Sequence, residues 1–147
     1  MSDRPTVHYW HLWADADGVS HQTQCTLDNF DLKPIQPQAA PQWQGKITNG
    51  TMSTMVTVLP IGWIGTWHKN PKPQWIIPLS GRWFVESMDG NRVEMGPGEF
   101  SFGGDQNCQQ TSGKCGHQSG TVGDAPTVLM IVQFDDAAAP IIPCEFR

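Results

Sequence analysis

The chain has 147 residues, a formal charge of −5 and no cluster of Lys or Arg, so it has the size of one domain and offers no electrostatic footprint for a phosphate backbone. Nucleic acid is thereby set aside as a partner, and a small organic molecule, neutral or cationic, is expected instead. No segment approaches the apolar length needed to span a bilayer, and Met1–Trp13 lacks the basic and apolar regions of a secretion signal, so no membrane association and a cytoplasmic location are expected.

Gly 15 and Pro 12, together with seven Trp and short Val/Ile/Phe runs, point to many short strands joined by tight turns. In chain order, Thr6–Ala14 is aromatic and β-prone, Asp15-Ala16-Asp17-Gly18 reads as a turn, and Val19–Leu27 reads as a second strand, giving an N-terminal hairpin or edge pair. Lys33–Gln44 carries Pro34, Pro37 and Pro41 and is expected to be a loop over the barrel. Met52–Leu59 is apolar at both alternating sets of positions, as in a strand packed inside a sandwich. Gln74–Leu79 and Arg82–Met88 are two strands broken at Ser80-Gly81, and Asp89-Gly90 is a hairpin signal before Asn91–Met95. Gly96-Pro97-Gly98 turns the chain into Glu99–Phe102. After a Gly- and Gln-rich loop, Thr127–Phe134 is the last buried strand, and Asp135–Arg147 reads as a surface strap.

The expected architecture is all-β in a single domain, with N-terminal strands over 6–31, a barrel core over 47–134 and a C-terminal strap over 135–147. Cys25, Cys108, Cys115 and Cys144 lack paired CxxC spacing, and free thiols are expected, with a disulfide between Cys108 and Cys115 as the second reading. Serine-hydrolase, nucleotide and hydride chemistry have no motif in support.

Gly62, His68, Asn70, Gln74 and Gly81 follow one another at a spacing that resembles the first motif of the cupin family, in which Gly, His-x-His, Glu and Gly recur at these intervals. Pro97-Gly98-Glu99 followed by Gly113-Lys114-Cys115-Gly116-His117 is similar to the second motif, with stretched spacing. The closest likeness is to a group of small bacterial cupins with a Thr-Asp-Ala-Asp-Gly-like turn, His-x-x-Pro-x-x-Gln and Gly-Lys-Gly-His. It covers about Val7 to Phe134.

The resemblance implies a double-stranded β-helix, or jelly-roll barrel, with an interior pocket, into which His68 and Gln74 point while His117 lies on its wall. It also implies a divalent-metal site, but here the second His is Asn70 and the Glu is Gln74. Amides are poor ligands beside imidazole and carboxylate, so no cofactor and no tightly held metal are expected; a divalent metal, if bound, would use His68, Gln74 and His117.

His68 and His117 are the candidate catalytic residues, as imidazoles suited to general acid–base work. Gln74, Asn70, Trp63, Trp67, Trp83, Asp105 and Lys114 are the candidate substrate contacts. His8, His11 and His21 beside Asp15 and Asp17 are read as an edge-strand cluster rather than a metal site. The expected chemistry is isomerase, cyclase or lyase; a non-catalytic binding or sensing module and a metal-dependent oxygenase or hydrolase are the alternatives. An aromatic segment with Tyr9, Trp10 and Trp13 at an uncovered edge would favour a homodimer.

Overall fold

β-Branched and aromatic runs punctuated by Gly and Pro form strands along the whole chain in the computed structural model, which describes residues 3–135 and 142–145. The strands are β1 (Val7–Ala14), β2 (Ser20–Leu27), β3 (Asp31–Pro34), β4 (Pro41–Gln44), β5 (Met52–Leu59), β6 (Gln74–Ser80), β7 (Arg82–Ser87), β8 (Arg92–Met95), β9 (Ser101–Gly104), β10 (His117–Val122) and β11 (Thr127–Phe134). Among the described residues there is no helix, and the fold is all-β as expected.

One sheet has six strands in the order β2-β1-β9-β6-β11-β5, a second has three in the order β10-β7-β8, and β3 and β4 form a separate hairpin. The β1–β9 pairing is parallel, while the other ladders are antiparallel. Period-two alternation divides the large sheet into two apolar faces. Leu12, Leu59, Ile76 and Leu129 meet Trp83, Val85, Val93 and Met95 of the small sheet in one buried cluster. On the opposite face Tyr9, Cys25, Leu27, Trp75, Phe102 and Phe134 form a second cluster, covered by Phe30, Ile47 and Cys144.

The first turn forms as the sequence implies. Asp15 Oδ1 accepts the amides of Asp17 and Val19 at 2.9 and 3.0 Å. Gly18 adopts φ +80° beneath Gln109, a left-handed conformation that glycine adopts without strain.

Four expectations are corrected. Residues 33–44 are a loop only over 35–40: Asp31–Pro34 pairs with Pro41–Gln44, and Pro34 and Pro41 face each other at the end of that ladder closed by the loop, where a missing N–H costs little. The N-terminal strand is not at an edge but lies inside the large sheet between β2 and β9, with Tyr9 buried and Trp10 and Trp13 half-buried, so the apolar patch expected there is largely covered. β5 is not an inner strand; it is an edge of the sheet and largely exposed.

The fourth concerns the cysteines. Cys25 and Cys144 form a disulfide across 119 residues, with Cα atoms 5.2 Å apart, whereas Cys108 and Cys115 are free thiols. Closing so long a loop restricts the unfolded chain and stabilises the fold by about 2–5 kcal/mol. The bond overturns the free-thiol expectation for this pair, which had leaned on a reducing compartment. No helix among the described residues is long and apolar enough to cross a membrane. Of the expected C-terminal strap, 136–141 and 146–147 lie outside the described residues.

Candidate functional site

Two stretches far apart in sequence meet at His68 and His117. The N–H of each donates to the other's carbonyl at 3.0 Å, making an isolated bridge that extends the small sheet past β10. Gly116 permits this approach: it has φ +84°, and a Cβ there would fall on the His68 carbonyl. The two imidazole centroids are 4.8 Å apart, with planes inclined at 50°.

Behind His117 lies Asp105, fully buried in the turn after β9. Its Oδ2 accepts from His117 Nδ1 at 2.8 Å, and its Oδ1 accepts from the Asn70 amide N–H at 3.0 Å and Nδ2 at 2.8 Å. Burial alone would raise the carboxyl pKa, but the hydrogen bond and charge of His117 and the two Asn70 donors hold it below the usual carboxylate value. An ionised carboxylate only accepts, so the proton in that bond belongs to Nδ1, and whenever the ring is neutral Nε2 is its basic nitrogen.

The amides continue the chain of hydrogen bonds inward. Gln74 Nε2 donates to Asn70 Oδ1 at 2.7 Å, and Gln133 Nε2 donates to Gln74 Oε1 at 2.9 Å. β6 and β11 are paired at this point, with Gln133 opposite Gln74, which explains why the last two links meet. Asn70 lies over Gly103, where any Cβ would collide with its amide. The order Gln133–Gln74–Asn70–Asp105–His117 is therefore a continuous buried or half-buried network that determines the orientation of one imidazole.

The sequence candidates divide accordingly. His68, His117, Asn70, Gln74 and Asp105 come together, but His68 is exposed rather than inside a cavity. Its Nδ1 donates to the Thr66 carbonyl at 2.7 Å, which also leaves Nε2 as the basic nitrogen. Asn70 and Gln74 bond to neighbouring protein groups, so their expected role as substrate contacts gives way to positioning. Trp83 is buried in the core between the sheets, away from the role of substrate contact, because alternation on β7 directs it to Leu12 and Ile76. Trp63 is half-buried against that core, whereas the Lys114 ammonium lies 4.9 Å from the ring centroid of half-buried Trp67.

His68, Asn70, Gln74 and His117, whose spacing resembles the cupin metal motifs, are two imidazoles and two amides; the amides bond to each other, to Asp105 and to Gln133, His117 bonds to Asp105, and His68 bonds to Thr66. Among the described residues, no three His, Cys, Asp or Glu side chains group as a metal site. This donor set does not fit a tightly held transition metal.

Two features escaped the sequence. Gln133 had no signal, since a polar residue near the end of a strand is ordinary. The second is His21, whose Nε2 lies 2.7 Å from Asp15 and Nδ1 2.9 Å from Asp89, with Trp13 stacked on its ring at 4.9 Å. The Asp15–His21 spacing was visible, but Asp89 arrives from a different hairpin. Near the buried Asp105 turn, a cleft of about 640 Å³ is lined by Trp13, Asp15, Lys69, Gln106, Cys108 and Gln109 among others. Its Cys108 thiol is pushed up to about 11 by burial and by the Asp105 charge, which makes it a poor nucleophile at neutral pH. No protein-family model matches the chain, and no curated protein matches it significantly.

Proposed function

We propose that this chain is a cupin-type barrel acting on a small organic molecule by acid–base catalysis, of the isomerase, cyclase or lyase kind, without a tightly held metal. The single observation that carries the reading is the buried Asp105–His117 pair at 2.8 Å, anchored by two Asn70 donors and adjoining a second imidazole at the surface. A neutral His117 accepts a proton at Nε2, and Asp105 stabilises the resulting imidazolium while preventing the ring from turning. His68 is the neighbouring proton carrier on the solvent side, with Trp67 and Lys114 on the flanking loops to bind the substrate.

Support for the jelly-roll assignment comes from where the motif residues fall. Gln74 begins β6, Gly81 turns into β7 with φ +74°, Gly98 turns ahead of β9 with φ +93°, and His117 begins β10. The parallel β1–β9 pair is an addition to a purely antiparallel roll.

The test is a thermal-shift screen for a ligand, followed by product analysis of that ligand after incubation with the protein. The expected result is turnover that falls by about a hundredfold or more in His117→Gln, with less than about a tenfold change in affinity. A tightly bound ligand returned unchanged at several pH values would overturn catalysis and leave a binding or sensing module.

A further inference from the structure

Charge is unevenly placed along the chain. Residues 32–85 and 106–123 contain Lys33, Lys46, Lys69, Lys72, Arg82 and Lys114, six of the nine Lys and Arg, and none of the fourteen Asp and Glu. His68 lies in the first stretch and His117 in the second, and their backbones pair. The two imidazoles are therefore brought together by the cationic part of a chain whose net charge is −5. Asp105, the carboxylate that touches them, is buried and spends its oxygens on His117 and Asn70.

Two of these cations stand apart from the others. Lys72 lies 3.0 Å from Asp135 and Arg82 lies 3.8 Å from Glu99, whereas Lys69 and Lys114 are exposed and have no carboxylate partner among the described residues. Lys69 follows His68 directly and lines the cleft of about 640 Å³ together with Gln106 and Gln109. Lys114 precedes His117 by three residues, with its ammonium by Trp67. The acid that lines the cleft, Asp15, is engaged with two backbone amides and with His21, and Asp17 of the same turn is exposed. A lone exposed lysine is ordinary. Two beside one pair of imidazoles, on stretches without acids, create a local positive potential against the sign of the whole chain.

We propose that the substrate of the His68–His117 site is a small organic acid whose carboxylate is held by Lys69 and Lys114. The proposal rests on the acid–base reading of His117 and supplies the substrate class. Net charge alone pointed to a neutral or cationic molecule; its distribution selects an anion, since a cation would meet two ammonium groups while Asp105 and Asp15 are engaged within the protein. The chemistry asks for the same charge. Transfer of a substrate proton to His117 Nε2 leaves the electron pair on the substrate, and ammonium groups already in place stabilise that negative charge. The donors favour carboxylate over phosphate. Phosphate is commonly bound by Arg forks or at helix N-termini. Here the described residues include no helix, and the one Arg of the two stretches, Arg82, is paired with Glu99.

The free thiol of Cys115, half-buried and next to Lys114 in sequence, reports the local charge. Its rate of modification, followed by peptide mass, is measured with a methanethiosulfonate bearing a sulfonate and with one bearing a trimethylammonium, each relative to a small thiol in solution. Wild type is expected to favour the anionic reagent by about fivefold or more at about 20 mM salt, and the preference is expected to fade at about 0.5 M salt and in Lys69→Gln/Lys114→Gln. Equal rates, or a preference for the cationic reagent, would overturn the proposal. Binding of glucuronate, malate and benzoate, each against its own primary amide and against inorganic phosphate, is then followed by the ring shifts of His68 and His117. At least one acid is expected to bind with a Kd below about 10 mM and at least about tenfold more tightly than its amide. Amides that match every acid, phosphate that exceeds them all, or no acid below that limit refutes the assignment. Neither readout involves turnover: an acid that binds and is returned unchanged removes catalysis but keeps this substrate class, whereas turnover of a neutral molecule without any charge preference does the reverse.

Discussion

Asp105–His117 and Asp15–His21–Asp89 use the same two residue types in opposite settings. Asp105 is wholly buried and His117 nearly so, and the carboxylate divides its lone pairs between His117 and Asn70. His21 and its two carboxylates are each partly open to water. Burial makes the first pair costly to break, because each group left behind has lost its water without another partner. The second is a clasp joining the β1–β2 turn to the β7–β8 turn, and solvent screens it. The tautomer differs as well: one carboxylate selects Nδ1–H and leaves a basic nitrogen, whereas bonding to two carboxylates at once requires both ring nitrogens to carry protons. The same pair of residue types thus yields a base in one place and a charged staple in the other.

The sharpest way to break this contrast is to remove the buried carboxylate. Asp105→Ala leaves His117 Nδ1 and both Asn70 donors without their acceptor, and is expected to cost about 3–5 kcal/mol in denaturant unfolding. A loss comparable to that of a surface pair would place Asp105 outside the framework of the fold. Gln74→Leu interrupts the network two links away, stranding Asn70 Oδ1 and Gln133 Nε2, and is expected to cost about 1–3 kcal/mol. It should also alter the nitrogen chemical shifts of the His117 ring, since the tautomer depends on a correctly held Asp105; unchanged shifts would separate the amides from the orientation of the imidazole.

Strand content was readable from the sequence because alternation and Gly/Pro punctuation are local signals: the Asp89-Gly90 hairpin and the Asp15–Gly18 turn lie where those residues imply. Position within the sheet was not readable. β5 is apolar on both faces whether it is buried or at an edge, and nothing local says that β1 will lie beside β9. The disulfide was missed for the same reason, since the approach of Cys25 and Cys144 depends on the path of the whole chain. At the site, spacing brought His68, Asn70, Gln74 and His117 to attention, but their partners decide their roles. By spacing alone Asn70 and Gln74 resemble ligands turned neutral, until Asp105 and Gln133 are seen bonded to them.

The smallest effect tests the exposed member of the comparison through pH. Partial burial would lower the His21 pKa, but hydrogen bonds and charge from Asp15 and Asp89 outweigh it and raise the value. A His with a raised folded pKa contributes stability that is present below its unfolded value of about 6.5 and is lost as pH rises through the folded value. The hydrogen bond to His21 and two backbone amides lower Asp15; Asp89, partly buried, is lowered against that burial by Ser87, Asn91 and His21. Their contribution is present above about pH 4 and is lost as pH falls through their folded values. The clasp is therefore complete between about pH 4 and 6.5. His11 complicates any single titration, because burial pushes it down to about 4 and the unfolded chain takes up its proton first as pH falls below 6.5. Comparing wild type with His21→Gln cancels that contribution. The variant is expected to melt about 2–4 °C lower near pH 5.5 and to converge on wild type toward pH 8. A difference that grows with rising pH would mean that His21 is neutral in the folded protein, and the contrast between base and staple would fail at this end.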